Sequence, residues 1–444
     1  MDLSQDTIAA ISTPPGTGGI AVLRLSGPAA LDTIKPLFSG FLKLEPRLAT
    51  FGRLVHPLLG GEFDECVVTY YKAPDSVTGD DLVEISIHGG AFLQEKLLDV
   101  LVSSPSVRPA GAGEFTLRSF LSGKIDLSRA EAVADLIHAK DAAAHRNARH
   151  QLSGALRALV SEMSEKLKQT LALIEAELDF SDQEIDFTPA SQLLAPVSEV
   201  REVAGRLIET HYYGRILEEG VRIPLLGAPN SGKSSLFNLL LGEDRAIVTE
   251  QAGTTRDTIE KAALVADHRV VFVDTAGIRP TQDVAEQSGV QRSKGELETA
   301  DIVIIVHAPD TEDIQIDLPD DTTQITVFNK LDLVNEAPPE FDVRLSCKTG
   351  EGLEHLNDLI YKHVINIFKG GVQGVILSNE RHKHVFLRLK AQLEACETAI
   401  QSNYGPEYIA SDLRRSLDIL GEITGETTPD DILNQIFSGF CVGK

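Results

Sequence analysis

Residues 221–240 read VRIPLLGAPNSGKSSLFNLL. The stretch opens on an apolar run, Val221 to Leu226, with the length and composition of a buried strand. It then passes through Gly227 to Gly232-Lys233-Ser234 and ends in a helical pattern. Strand, glycine-rich loop and helix in that order make a cradle for phosphate. Backbone N–H groups and the positive end of the helix converge on the phosphate oxygens. Lys233 adds a point charge at the β- and γ-phosphates, and the Ser234 hydroxyl suits Mg²⁺. The loop residues expected at the nucleotide are Asn230, Ser231, Gly232, Lys233, Ser234 and Ser235.

Three further segments lie downstream in the order such a site needs. VVFVDTAG, residues 270–277, places Asp274 at the end of a second apolar strand, where a carboxylate reaches Mg²⁺ through water. Thr275, Ala276 and Gly277 follow, and the Gly277 N–H suits the γ-phosphate. ITVFNKLD, residues 325–332, puts Asn329, Lys330, Leu331 and Asp332 after another strand. A carboxylate at Asp332 would accept from the N1–H and exocyclic amine of guanine, a pattern adenine does not offer. LSCKTG, residues 345–350, supplies Ser346, Cys347 and Lys348 to close over the base. GTTRD, residues 253–257, falls where a mobile switch belongs, with Thr255 the expected second Mg²⁺ hydroxyl. By itself Thr254 reads as an ordinary loop hydroxyl. The residue after DTAG is Ile278, which cannot orient a water, so another group must; Arg279, Asp283 and Glu286 are the acids and base nearby. The segment as a whole predicts a GTP-hydrolysing domain.

Outward from this domain the texture changes on both sides. Residues 1–120 read as mixed α and β, with strands in GGIAVLRLSG, ECVVTYYKAP and DDLVEISIHGG and a helix in AFLQEKLLDVLV. Residues 121–215 are Ala/Leu/Glu-rich and read as helix, with Ser128 and Glu131 placed as a capping box and a second helix from Pro189 to about Thr210. Residues 373–444 return to helix, the last with Thr428 as its cap and Pro429 at its first position. The economical organisation is an α/β domain, residues 216–372, inserted into a helical domain, with joints near Gly214 and Gly370-Gly371.

Composition excludes several classes. No apolar stretch reaches membrane-span length, and the opening MDLSQDTIAAIS has no basic n-region, so neither a membrane segment nor a signal peptide is expected. Cys66, Cys347, Cys396 and Cys441 are scattered without metal-ligand spacing, which suits reduced thiols in a cytoplasm. The formal charge is −25, with 66 Asp and Glu against 41 Lys and Arg, which argues against broad nonspecific nucleic-acid binding. A local basic segment survives in HAKDAAAHRNARH, residues 138–150.

Beyond the generic nucleotide motifs, several stretches together resemble one family over essentially the whole chain. They are DTIAAISTPPGTGGIAVLRLSG (residues 6–27), GDDLVEISIHGG (79–90), GEFTLRSFLSGKIDLSRAEAVADLI (113–137), GAPNSGKSS (227–235), AIVTEQAGTTRD (246–257) and the terminal CVGK (441–444). The family is that of the tRNA-modification GTPase MnmE, also called TrmE. The resemblance implies an N-terminal folate-binding-like α+β domain that also dimerises, a helical domain in two segments and an inserted Ras-like GTPase domain. It implies a homodimer that works with a flavin-dependent partner, MnmG (GidA). The pair would attach an aminomethyl or carboxymethylaminomethyl group to C5 of the wobble uridine of certain tRNAs. A 5-formyl- or methylene-tetrahydrofolate would be the one-carbon source. Potassium would stimulate hydrolysis, held by Asn230, Thr249, Gln251 and Thr254, with Glu250, Ala252 and Gly253 in the same nucleotide-wrapping segment. Glu286 matches the water-orienting glutamate, and Arg24, Glu84, Lys124 and Lys444 match the folate positions. Cys441 matches a cysteine of the modification chemistry, alongside Lys233 and Glu286 as catalytic residues. A switch GTPase of ribosome assembly, without one-carbon chemistry, is the alternative reading. The tail FSGFCVGK, residues 437–444, is not a prenylation box, because Gly443 and Lys444 break that pattern.

Overall fold

A computed structural model describes residues 6–55, 61–179, 188–245, 259–274, 299–312, 318, 322–334, 338–369 and 374–443. The chain forms two compact units. One comprises Met1–Ala134, Gln151–Phe180 and Ala410–Lys444, the other Asp135–His150 and Ser181–Ile409.

The first unit is built on a six-stranded sheet of β1 (Thr7–Ile11), β2 (Ile20–Ser26), β3 (Thr50–Val55), β4 (Glu62–Tyr71), β5 (Leu82–His88) and β6 (Val107–Pro109), in the order β3-β4-β5-β2-β1-β6. Neighbours are antiparallel except β1 and β6. The alternation in IAVLRLS sends Ala21, Leu23 and Leu25 to one face, where Leu97 and Leu101 of the helix Ala91–Val102 cover them. The alternate residues of β2, Arg24 among them, point to the other face.

The chain's last helix, Asp430–Ser438, buries Leu433 and Phe437 and, just beyond it, Phe440 against Leu127 and Ala130. The tail then docks on the N-terminal segment. Val442 bridges Ala112, the Gly113 N–H donates to the Cys441 carbonyl at 3.3 Å, and Ser12 Oγ donates to the Gly443 carbonyl at 3.0 Å. Gly443 has φ +91°, and a Cβ there would lie 2.3 Å from the Ile11 carbonyl, so only glycine fits this approach. Two caps differ from the sequence expectation. Asp126 Oδ1, not Ser128, caps the helix Leu127–His138 by accepting from Arg129 N–H at 3.2 Å, and Ser128 itself donates to Asp126. Thr428 donates to the Glu422 carbonyl, which leaves Pro429 as the cap residue of the last helix. At the first helix two candidate oxygens stand two residues apart and local spacing cannot rank them; at the last, the Glu422 carbonyl draws off the Thr428 hydroxyl, a contact that spacing does not show.

In the second unit β7 (Val221–Gly227), β8 (Ile259–Val265), β9 (His268–Asp274), β10 (Ile302–His307), β11 (Thr323–Phe328) and β12 (Val343–Arg344) form a sheet ordered β12-β11-β10-β7-β9-β8. Its pairings are parallel except β8 with β9. The central strands β7 and β10 are apolar runs covered on both faces, as a parallel sheet requires. The helix Ala190–Glu219 lies along the helix Glu380–Gln401, and Ser198 and Arg201 both donate to Glu397 at 2.6 and 3.0 Å. It outruns the expected end near Thr210 and places Gly214 inside a helix rather than at a joint. The reason is tertiary: Leu377 N–H donates to Thr210 Oγ1 at 3.0 Å, and its carbonyl sits where a Cβ of Gly214 would be, at 1.8 Å. Among the described residues no helix is long and apolar enough to cross a membrane.

Candidate functional site

The phosphate loop joins β7 to the helix Lys233–Arg245. Its backbone takes positive φ at Gly227 (+148°), Asn230 (+64°) and Gly232 (+99°), which turns successive N–H groups toward one point. Lys233 folds back so that Nζ donates to the carbonyls of Gly227 and Ala228 at 2.9 and 2.7 Å. Burial lowers its proton affinity, and the Asp274 carboxylate opposes that shift. Asp274 is itself buried at the end of β9, beside the loop. Asn230, Ser234 and Ser235 are exposed at the loop and helix start, and Ser231 is buried.

The base side is assembled by Asn329. Its Nδ2 donates to the Ser231 carbonyl at 2.8 Å, and its Oδ1 accepts from Cys347 N–H at 3.1 Å. One buried carboxamide thus ties the phosphate loop to the loop that closes over the base. Gly232 is required by the same contact, because a Cβ there would meet Asn329 Nδ2 at 2.1 Å. Asp332 accepts from Ser346 Oγ at 2.7 Å, which aims its carboxylate, and Lys348 stands 3.9 Å away. Lys330 has φ +61° and pairs with Asp310 at 2.7 Å. Leu331 N–H donates to the Leu345 carbonyl at 3.1 Å, and so holds the two loops together. Burial pushes the Cys347 thiol up to about 11, which holds it in the neutral form.

Asp310, the ion-pair partner of Lys330, went unread in the sequence; it follows β10 in a loop with no motif of its own. Thr249, Glu250, Gln251, Ala252, Gly253, Thr254, Thr255, Thr275, Ala276, Gly277, Glu286 and Lys444 lie outside the described residues.

In the first unit Arg24 and Glu84 stand in register on β2 and β5 and form an ion pair at 2.8 Å on the face away from the core. Tyr71 donates to the same carboxylate at 3.4 Å; burial first, and then Glu84, raises its phenol. Tyr71 was also missed, because alternation alone does not show which strand lies beside β5. Lys124 is exposed in the turn after the helix Glu114–Leu121, next to Gly79 and not bonded to Arg24 or Glu84. Cys441 is exposed, its carbonyl held by Gly113 as above.

A phosphate loop at the end of a parallel strand, tied by an asparagine to a base-closing loop that carries an aimed carboxylate, defines the class: this is a P-loop GTPase. Two families match the chain, the GTP-binding protein TrmE N-terminus over residues 7–124 and the MnmE helical domain over residues 127–441. The chain is 40% identical over 451 residues to the tRNA modification GTPase MnmE of Aquifex aeolicus, covering 99% of this chain and 100% of the relative. It is likewise 40% identical over 450 residues to that of Akkermansia muciniphila, covering 99% of each. Among solved structures it is similar to Aquifex aeolicus Era, 26% identical with a TM-score of 0.26, over 40% of this chain and 66% of that one. The chain belongs to the MnmE family of tRNA modification GTPases.

Proposed function

We propose that this GTPase is stimulated by potassium and acts with a flavin-dependent MnmG (GidA)-type partner. Together they add a (carboxymethyl)aminomethyl group to C5 of the wobble uridine of certain tRNAs. The observation that carries the reading is Asn329, which binds the phosphate loop and the base loop into one frame. Within that frame Lys233 neutralises the β- and γ-phosphates once a nucleotide replaces the loop carbonyls as its partner, and Asp332 reads the guanine edge. Ser234, exposed at the helix start, and Thr255 would hold Mg²⁺.

Asn230 stands exposed at the loop's left-handed position, where its carboxamide oxygen is a hard donor of the kind a monovalent cation takes. Thr249, Gln251 and Thr254 would complete that site. The ion would supply the positive charge that an arginine finger supplies elsewhere. Glu286 would orient the attacking water, a task Ile278 lacks the chemistry for. On the sheet face of the first unit the Arg24–Glu84 pair suits a tetrahydrofolate, a guanidinium for its carboxylates and a carboxylate for pterin N–H donors. Lys124, Lys444 and Cys441 belong to the same reading, with dimerisation through the N-terminal domain and a cytoplasmic location. The divisions 1–120, 121–215, 216–372 and 373–444 are its proposed working parts.

Nucleoside analysis of tRNA from cells lacking the chain tests this. Loss of the wobble-uridine modification is expected, and its persistence would leave a GTPase switch of another kind. Hydrolysis in K⁺ and in Na⁺ is the companion measurement, with equal rates removing the potassium site.

A further inference from the structure

The basic segment 138–150 has no part in the nucleotide or folate chemistry. The structure turns most of it into a helix, Ala142–Leu152. Asp141 begins that helix, its Oδ1 accepting from the N–H groups of Ala143 and Ala144 at 2.9 and 2.7 Å. The segment's single acid is therefore engaged, one oxygen in the cap and the other accepting from Arg269 N–H at 3.4 Å. Ala143 and Ala148 face inward, while His145, Arg146, Arg149 and His150 are exposed. Arg146 and Arg149 are three residues apart, and His145 with Arg149 and Arg146 with His150 are four apart, so the four form one strip, with the Cβ atoms of those pairs about 5–6 Å apart.

Arginines elsewhere in the chain are mostly matched to acids: Arg24 to Glu84, Arg201 to Glu397, Arg215 to Asp301, Arg222 to Glu260 and Arg414 to Glu175. Among the described residues neither Arg146 nor Arg149 makes an ion pair. Lys140 precedes the strip, exposed, with Arg269 close enough to lower its proton affinity after burial does, and with Glu218 and Glu260 opposing. Arg206 and Arg415 are also exposed without an ion pair among the described residues, but each is the lone such group on its helix. Two such guanidinium groups on one helix face, in a chain of formal charge −25, make a patch that suits a polyanion.

We propose that the outward face of the helix Ala142–Leu152, led by Arg146 and Arg149, is a docking surface for the phosphate backbone of tRNA. This rests on the reading of tRNA as the substrate. Guanidinium groups suit phosphate oxygens through paired N–H donors, and phosphate contacts position RNA without selecting its sequence. Locality matters: the overall acidic surface repels RNA elsewhere, so contact is confined to the strip.

The test is fluorescence-anisotropy binding of unmodified tRNA to the full chain across a salt series. Arg146→Ala with Arg149→Ala is expected to lower affinity at least about tenfold at low salt and to reduce the slope of log K against log salt by about two. Arg146→Lys with Arg149→Lys should keep the slope. GTP hydrolysis without tRNA and the far-ultraviolet dichroism should not change in either variant. Unchanged slope and affinity in the alanine variant would overturn the surface. So would wild-type chain that binds no tRNA at any salt, even where deleting it abolishes the wobble modification. Loss of flavin-partner binding with tRNA binding intact would overturn it too and assign the strip to a protein. If the wobble modification persists in cells lacking the chain, the substrate reading fails, while an alanine variant that loses affinity and salt slope still supports the strip.

Discussion

Asp332 is aimed by a single hydroxyl, Ser346 Oγ at 2.7 Å, and its selectivity rests on being an acceptor at both oxygens. Asp332→Asn puts a donor where guanine also presents donors. Losing a hydrogen bond to a charged group costs about 1.5–3 kcal/mol, so GTP affinity is expected to fall roughly ten- to a hundredfold. Xanthosine triphosphate, which carries an oxygen in place of the amine, should gain in relative affinity. Competition binding with the two nucleotides checks this, and an unchanged preference would count against base reading by Asp332. At this scale the positions were legible: Asn329 and Asp332 follow a strand and Lys233 follows a strand and its loop, and the strands fix where each side chain starts. The partners that hold them, such as Asp310 for Lys330, were not legible, because a loop acid has no period.

The helix Ala190–Glu219 shows what happens when packing overrides local punctuation. Gly214 reads as a break, yet it is helical because the Leu377 carbonyl needs the space its side chain would fill, 1.8 Å from a Cβ. Gly214→Ala must push the segment at Leu377-Ser378 away and lose the Thr210 contact, at a cost of about 1–3 kcal/mol. Urea unfolding at fixed pH is the measurement, and an unshifted midpoint would mean the segment is not held at that point. The caps teach the converse lesson. Asp126 and Ser128 are equally good cap residues, and the hydrogen bond from Ser128 to Asp126 decides between them only in three dimensions.

For the whole molecule, acid sensitivity follows from the buried imidazole of His211 and the half-buried one of His268. Burial lowers the proton affinity of His211 and outweighs the pull of Glu380 at 2.9 Å, and burial lowers that of His268 as well. Folded, both take up protons below the ordinary 6.5, so the unfolded chain binds more protons in that window. Stability is therefore full above 6.5 and falls as pH drops through it. The unfolding midpoint is expected to decrease from about pH 7.5 to about pH 5.5, and His211→Gln should flatten the slope; a pH-independent midpoint would contradict it. The sequence by itself determined the mostly parallel sheet of the GTPase, the strand alternation of the first sheet and the loop positions of Lys233, Asn329 and Asp332. These depend on near neighbours, on period and on short motifs. Only the tertiary structure decided that Cys441 and Gly443 lie against Gly113 and Ser12 of the same chain, that Tyr71 joins Arg24 and Glu84, and that Asn329 joins two loops. Each of those depends on which distant segments come into contact, and sequence spacing carries no record of that.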